Sequence, residues 1–120
     1  MTIPHRRAFA AAVLWAAFLL TPALASFHQC GIASWYGYTG RRGADGNLYT
    51  GREMTAAHKS LPFGTRVRVT DQRTGRSIVV RITDRGPYVR GRVIDLSPVA
   101  RRALGMDGLA SVCLVQLIAR

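Results

Sequence analysis

The feature that most constrains the fold is a series of short runs in which apolar and polar residues alternate, bounded by glycine, proline or aspartate. Residues 65–71, TRVRVTD, alternate strictly, and the turn at 73–75 leads into residues 76–83, RSIVVRIT. Alternation with a period of two predicts β-strands that turn one face to a core. Four more strands complete the set: residues 31–36, 92–95 and 111–118, and either 48–50 or 54–57.

One short helix is also indicated. Ser97 is a favourable N-cap, Pro98 suits the first helical position, and Gly105 is a stop signal after Val99 to Leu104. Several of the strand runs are apolar on both faces, which is typical of strands that are covered by loops or a helix. The pattern therefore predicts an all-β fold, a small β-barrel with one short helix.

The N-terminus has the composition of a signal peptide. Basic residues at 5–7 precede an apolar run at 8–20, and Ala23-Leu24-Ala25 has the small–x–small pattern of a cleavage site. We expect a signal peptide at 1–25 and a single domain at 26–120, with no stable membrane anchor after cleavage. The alternative, a retained anchor, would need an apolar span of roughly 18–20 residues.

The chain has two cysteines, Cys30 and Cys113, and both lie in the part that would be exported. Disulfides form and persist in oxidising compartments, so we predict that these two residues are bonded. Two free thiols are the alternative. Their wide spacing and the absence of further cysteines argue against a metal or redox site.

The chain is strongly basic, and 16 of its 17 basic residues are arginine. Removal of residues 1–25, which hold two arginines and no acid, lowers the formal charge from +11 to +9. An exported basic protein suits anionic polymers of the cell envelope, although the charge could also serve solubility alone. Nucleic acid is disfavoured by export, no phosphate-binding loop or metal-ligand cluster indicates a cofactor, and nothing specifies an oligomeric state.

Three segments together resemble the rare lipoprotein A family. They are GIASWYG at 31–37, MTAAHKSLPFGTRVRV at 54–69 and VVRITDRGPYVRGRVIDLS at 79–97, and the resemblance covers nearly all of residues 31–118. Members of that family are double-psi β-barrels that act as peptidoglycan lytic transglycosylases. The resemblance implies a six-stranded double-psi β-barrel, a location in the periplasm or cell envelope, and peptidoglycan glycan strands as the partner.

Two residues are the candidate catalytic groups. Asp84 stands at a strand end before the rigid Arg-Gly-Pro turn, and its DRGP motif matches the family, in which this aspartate is a site residue. His58 matches the family's TAAH segment, in which the histidine borders the glycan groove. The alternatives are an aspartate that caps its own turn and a histidine that packs in the core.

One position departs from the family. Residues 43–50, GADGNLYT, have Asn47 where the resemblance implies an active-site glutamate, and Thr50 replaces the acid or amide that follows. An asparagine can neither donate an acidic proton nor become an anion. Asp45 or Glu53 could replace the glutamate only through a rearranged loop. We therefore expect a retained groove with weak or absent cleavage near neutral pH, restored in Asn47→Glu if that carboxylate limits the rate.

The remaining site residues are assigned to substrate binding. Aromatic rings stack on the C–H faces of sugars, which makes Tyr36, Tyr49 and Tyr88 candidates, with Arg85 and Asn47 beside them. Two functions follow from the resemblance. One is a lytic transglycosylase that uses Asp84 and His58, and the other is a non-catalytic, expansin-like module that binds cell-wall glycan.

Overall fold

The structure is a computed structural model that describes residue 2, residues 27–37 and residues 40–118. Apart from residue 2, the predicted signal peptide lies outside the described residues. Eight strands and one helix follow along the chain: β1 His28–Trp35, β2 Arg41–Arg42, β3 Leu48–Tyr49, β4 Thr55–Ala57, β5 Arg66–Asp71, β6 Ser77–Asp84, β7 Arg92–Leu96, α1 Pro98–Leu104 and β8 Ala110–Gln116.

Six of these strands close into a barrel in the order β1-β7-β4-β6-β5-β8. Two neighbouring pairs, β1 with β7 and β4 with β6, are parallel, and the other pairs are antiparallel. Parallel pairs need crossover connections, so the chain must pass over the barrel twice rather than run up and down. The prediction of a six-stranded barrel with one short helix is confirmed.

The core lies inside the barrel, where the inward residues of alternating strands meet. Strand β5 buries Val67 and Val69, and β6 buries Val80 and Ile82, while the residues between them face outward. Burying such aliphatic side chains contributes about 1.5–3 kcal/mol each. Leu104 of α1 is also buried, so the helix covers part of the barrel with its apolar side.

The helix begins and ends as the sequence predicts. The Ser97 hydroxyl accepts a hydrogen bond from the Ala100 amide at 3.3 Å, and Pro98 occupies the first turn. Gly105 adopts φ +77°, a left-handed conformation that favours glycine, and its amide donates to the Arg101 carbonyl. No helix within the described residues is long and apolar enough to cross a membrane.

Of the two alternatives for the sixth barrel strand, the structure has the second: β4, Thr55–Ala57, is in the barrel, whereas Leu48–Tyr49 pairs with Arg41–Arg42 in a separate two-stranded sheet. One detail of the strand prediction needs correction. Strand β1 ends at Trp35 and breaks its alternation, because the register with β7 shifts between Ile32 and Ala33. Tyr36 therefore lies just beyond the strand.

The predicted disulfide between Cys30 and Cys113 is present. The two residues stand directly opposite each other on β1 and β8, with Cα atoms 4.0 Å apart. Together with His28 they place three potential metal-ligand atoms within 4.8 Å of one another. Both sulfur atoms are consumed by the bond, however, so they are not thiolate ligands.

Candidate active site

Asp84 ends β6 and is held by two backbone amides. Its Oδ1 atom accepts hydrogen bonds from the amides of Ala44 at 3.2 Å and Arg85 at 2.8 Å. The loop of residues 43–47 reaches this position because Gly43 has no side chain: a Cβ atom there would lie 2.6 Å from the Thr83 carbonyl oxygen. The loop therefore packs against the end of β6 and fixes the orientation of the Asp84 carboxylate.

A second carboxylate, which the sequence analysis did not assign, lies near Asp84. Asp95 is on β7, and Ala57 of the intervening strand β4 pairs with Asp84 on one side and with Asp95 on the other. Two strand spacings put the backbones of the two aspartates about 10 Å apart. The tertiary pairing thus brings together two carboxylates from strands β6 and β7.

The two aspartates stand in different surroundings. Burial raises the pKa of Asp95, and the charge of Asp84 adds to this rise; a hydrogen bond from the Ser34 hydroxyl at 3.2 Å and the nearby Arg92 oppose it. A raised pKa keeps a carboxyl group protonated over a wider pH range. Asp95 therefore holds its proton to higher pH than an ordinary aspartate does, which is the property that a proton donor needs.

Asp95 lines a cleft of about 470 Å³. The cleft is lined by residues from β1, the 85–89 turn and β7, among them Ser34, Trp35, Tyr36, Arg85, Tyr88 and Arg92. Tyr36 also lines a smaller adjoining depression with Tyr49 and Asp84. The depression that contains Asp84 and the cleft that contains Asp95 therefore share Tyr36 in their linings.

Trp35 is a second residue that the sequence analysis left unassigned. The guanidinium carbon of Arg101 lies 4.5 Å from the centroid of the Trp35 ring, and the Arg101 Nη1 atom donates to the Met106 carbonyl. Despite this cover, the Trp35 side chain is 38% exposed and lines the cleft. Trp35 is therefore an aromatic surface held from one side by a cation–π contact.

His58 occupies a different environment. Its side chain is 3% exposed, its Nδ1 atom accepts from the amides of Ser60 and Leu61, and its Nε2 atom bonds to the Gln29 side chain. Because Nδ1 accepts, the proton of the neutral ring is on Nε2. Burial lowers the pKa of His58, as do the charges of Arg85 and Lys59. Its own amide donates to the Asp84 carbonyl, so His58 supports the backbone of Asp84.

The guanidinium group of Arg85 binds to the neighbouring loop. Its Nη1 atom donates to the carbonyls of His58 at 3.2 Å and Leu61 at 2.8 Å, and its guanidinium carbon lies 4.0 Å from the centroid of the Phe63 ring. These contacts hold the loop after β4 against the turn after β6. Arg85 still lines the cleft and can face a ligand there.

Asn47 lies in a third depression, together with Asp45, Phe63, Gly64 and Arg81. Asp45 accepts hydrogen bonds from the amide and side chain of Asn47 and from the Tyr49 hydroxyl. Burial alone would raise the pKa of Asp45, but these hydrogen bonds outweigh it and lower the pKa. Asp45 is therefore an ionised acceptor within its own loop rather than a proton donor.

Glu53 is held in a similar way. Its carboxylate accepts from the amides of Thr50 and Gly51 and from the Thr50 hydroxyl, and these bonds outweigh burial and lower its pKa. Both acids are thus ionised acceptors that are bonded within their own loops.

The predicted site residues thus fall into four places. Asp84, Tyr36 and Tyr49 share one depression, and Arg85 and the 78% exposed Tyr88 line the adjoining cleft with Asp95. Asn47 belongs to the third depression, and His58 is buried behind the groove. The sequence signal for Asp95 was its place in RVIDLS, the end of an alternating run directly before the helix N-cap.

Residues 28–114 match the family model described as lytic transglycolase. Over 82 residues the chain is 63% identical to the probable endolytic peptidoglycan transglycosylase RlpA of Nostoc sp., an alignment that covers 65% of this chain and 22% of that protein. The endolytic peptidoglycan transglycosylase RlpA of Neisseria meningitidis serogroup A is 43% identical over 99 residues, with 79% and 41% covered.

A solved structure is also similar. The apo form of an expansin from Clavibacter michiganensis superposes with a TM-score of 0.62 at 25% identity, and the match covers 78% of this chain and 52% of that chain. The chain therefore spans only about a fifth to a half of the length of these three proteins. A match over most of the chain, on a closed barrel with two parallel pairs, shows that the chain belongs to the rare lipoprotein A-like lytic transglycolase family of double-psi β-barrels.

Proposed function

We propose that this protein cleaves the glycan strands of peptidoglycan as a lytic transglycosylase. The observation that carries this proposal is the pair of aspartates on either side of Ala57, one of which has a raised pKa. Cleavage of a glycosidic bond needs a protonated acid near the bridging oxygen and a group that stabilises positive charge at the anomeric carbon. Asp95 and Asp84 would supply these two functions.

The reaction needs no attacking water. Asp95 donates its proton to the bridging oxygen as the bond from that oxygen to the anomeric carbon breaks, and Asp84 stabilises the developing positive charge. A hydroxyl of the same sugar then bonds to the anomeric carbon, and its proton returns to the Asp95 carboxylate. The product is a 1,6-anhydro sugar, and Asp95 ends the cycle in the state in which it began.

The location that we propose is the periplasm or cell envelope. The Cys30–Cys113 disulfide supports it, because such bonds persist in oxidising compartments. The signal-like composition of residues 1–25 supports export as well. The +9 charge of residues 26–120 suits a wall that carries anionic groups.

The proposal is tested by digestion of purified peptidoglycan, with and without its stem peptides, followed by mass analysis of the soluble products. We expect 1,6-anhydro products from the wild-type protein. From the sequence alone we expect Asn47→Glu to restore cleavage. If Asp95 is the proton donor, the rate should instead change little in Asn47→Glu, because position 47 lies beside Asp45 in a separate depression. Products with reducing ends alone would indicate a hydrolase and would contradict the proposed reaction.

A second function, a non-catalytic module that binds glycan, is favoured by Asn47 itself. If the family glutamate is required, the wild-type protein should bind sacculi without releasing products. Asn47→Glu should then gain cleavage, and general acid help of this kind is worth about 10²–10⁴-fold. The same digestion therefore distinguishes the two functions by the pair of results from wild type and Asn47→Glu.

Binding in the cleft should be visible through Trp35. In a chain that carries Trp15→Phe, Trp35 is the only tryptophan. Titration with glycan strands released from purified peptidoglycan should change its fluorescence in a saturable way, because a sugar that stacks on the ring displaces water from it. Trp35→Ala should weaken binding about 3- to 10-fold, as expected for the loss of one aromatic stacking contact.

The control for this titration is Arg73→Gln, which changes an exposed turn on another part of the barrel. The Trp35 emission could stay unchanged at concentrations at which the protein sediments with intact sacculi. That result would show that the glycan binds outside this cleft.

A further inference from the structure

Three arginines share the outer face of strands β5 and β6. Arg66, Arg68 and Arg81 are exposed, and each alternates with residues that are buried in the core. Arg66 and Arg81 are directly paired across the two antiparallel strands. On β5, Arg66 and Arg68 are two residues apart, which puts them about 7 Å from each other on the same face. We call these three residues the arginine face.

This arrangement costs stability. Like charges that stand directly opposite each other on neighbouring strands repel, whereas an opposite charge at one of the two positions would be favourable. Among the described residues, none of the three guanidinium groups forms a hydrogen bond or an ion pair. No bonded partner within this part of the chain therefore relieves the repulsion.

The neighbouring residues on the same face do not neutralise the positive charge of the arginine face. Arg68 pairs with Val79 on one side and Val115 on the other, and the next row holds Thr70 and Ser77, whose hydroxyls bond to each other. The acid that interacts with the arginine face is Asp45, through Arg81. That carboxylate is already bonded to Tyr49 and Asn47 and is not within ion-pair distance of Arg81.

We infer that the arginine face binds an anionic polymer of the cell envelope, one that carries phosphate or carboxylate groups. The planar, forked guanidinium group forms paired hydrogen bonds with either oxyanion, and a cluster of three such groups can contact successive charged groups of one chain. A polymer is favoured over a membrane, because the exposed large apolar side chains lie elsewhere than on β5 and β6. Arg81 borders the depression that holds Asn47, so the arginine face continues toward the groove.

The test compares two triple variants with the same net charge. One variant carries Arg66→Gln, Arg68→Gln and Arg81→Gln, and the control carries Arg52→Gln, Arg73→Gln and Arg102→Gln at exposed positions on three other segments. Binding of fluorescent inorganic polyphosphate and of poly-glutamate is measured by anisotropy over a range of salt concentrations. We expect the first variant to bind at least about tenfold more weakly and to lose about 3 from the slope of log affinity against log salt.

The control variant should lose much less affinity and much less of the salt slope. Polymer binding is measured without cleavage, so this inference and the catalytic proposal can fail separately. The midpoint of thermal unfolding of the first variant should rise, because the repulsion between positions 66 and 81 is removed. If the loss of affinity is seen with polyphosphate alone, phosphate is the ligand group. If it is seen with both polyphosphate and poly-glutamate, the arginine face binds oxyanions in general. Equal losses in the two variants, or binding to anionic vesicles without binding to either polymer, would overturn the inference.

Discussion

Asp95→Asn should reduce the release of 1,6-anhydro products by about 10²–10⁴-fold, the range that general acid catalysis supplies. Asparagine has nearly the same shape as aspartate, so the hydrogen bond from Ser34 can remain while the transferable proton is lost. Digestion of purified peptidoglycan with mass analysis measures this effect. Asp107→Asn, which changes an exposed aspartate in the loop before β8, is the matched control and should leave the rate unchanged.

The pH dependence gives an independent check. Because burial raises the pKa of Asp95, the protonated donor persists above the usual pH for an aspartate, and wild-type cleavage should fall as pH rises through that pKa. The folded state binds this proton more tightly than the unfolded state does. Its contribution to stability is therefore complete below the unfolded pKa and is lost as pH rises through the folded one.

Where Asp95 is ionised, its charged form consequently costs stability. Asp95→Asn should leave the free energy of unfolding at pH 7 unchanged or raise it, while cleavage is lost. A structural residue would instead lose stability and activity together. Robust cleavage by Asp95→Asn would show that the proton donor lies elsewhere, and Asp84→Asn would then be the next variant to examine.

The second large effect concerns stability. Removal of the disulfide through Cys30→Ser and Cys113→Ser should lower the free energy of unfolding by about 4–5 kcal/mol in the chain-entropy model. The bond joins residues 83 positions apart and links β1 to β8, the two strands that bring the ends of the barrel together. A small domain has a modest core, so this loss is a large share of its stability.

Denaturant unfolding with and without a reductant measures this loss. The wild-type protein under reducing conditions should resemble the double serine variant, and the variant should not respond to the reductant. Free-thiol labelling of unreduced, unfolded wild-type protein should find essentially no thiol. Equal stability of the wild type and the variant in oxidising buffer would show that the bond contributes little.

Much of the architecture could be predicted from local patterns. Alternation at 65–71 and 76–83 placed the inward Val67, Val69, Val80 and Ile82 correctly, because a strand with one buried face must repeat every two residues. The helix could be predicted equally well, because Ser97, Pro98 and Gly105 act on the backbone within a few residues of themselves. The Cys30–Cys113 pairing followed from there being two cysteines in an exporting context.

The separate sheet of Arg41–Arg42 and Leu48–Tyr49 was not predicted, because two-residue strands are too short to show a period. The break in β1 was missed for a related reason. A register shift between Ile32 and Ala33 arises from pairing with β7, sixty residues further along the chain, and nothing in residues 31–36 alone encodes it.

The candidate site likewise has one part that the sequence predicted and another that only the tertiary structure decided. The sequence by itself determined that Asp84 ends a strand before a rigid turn, because the DRGP motif acts on the backbone locally. That Asp84 and the aromatic residues belong to a groove stays a prediction from the family resemblance. Only the tertiary structure placed Asp95 beside Asp84, since both are brought to the two sides of Ala57 by strands that are distant in sequence. The pKa of Asp95 is likewise a property of burial and neighbouring charge, and these exist only once the barrel has closed.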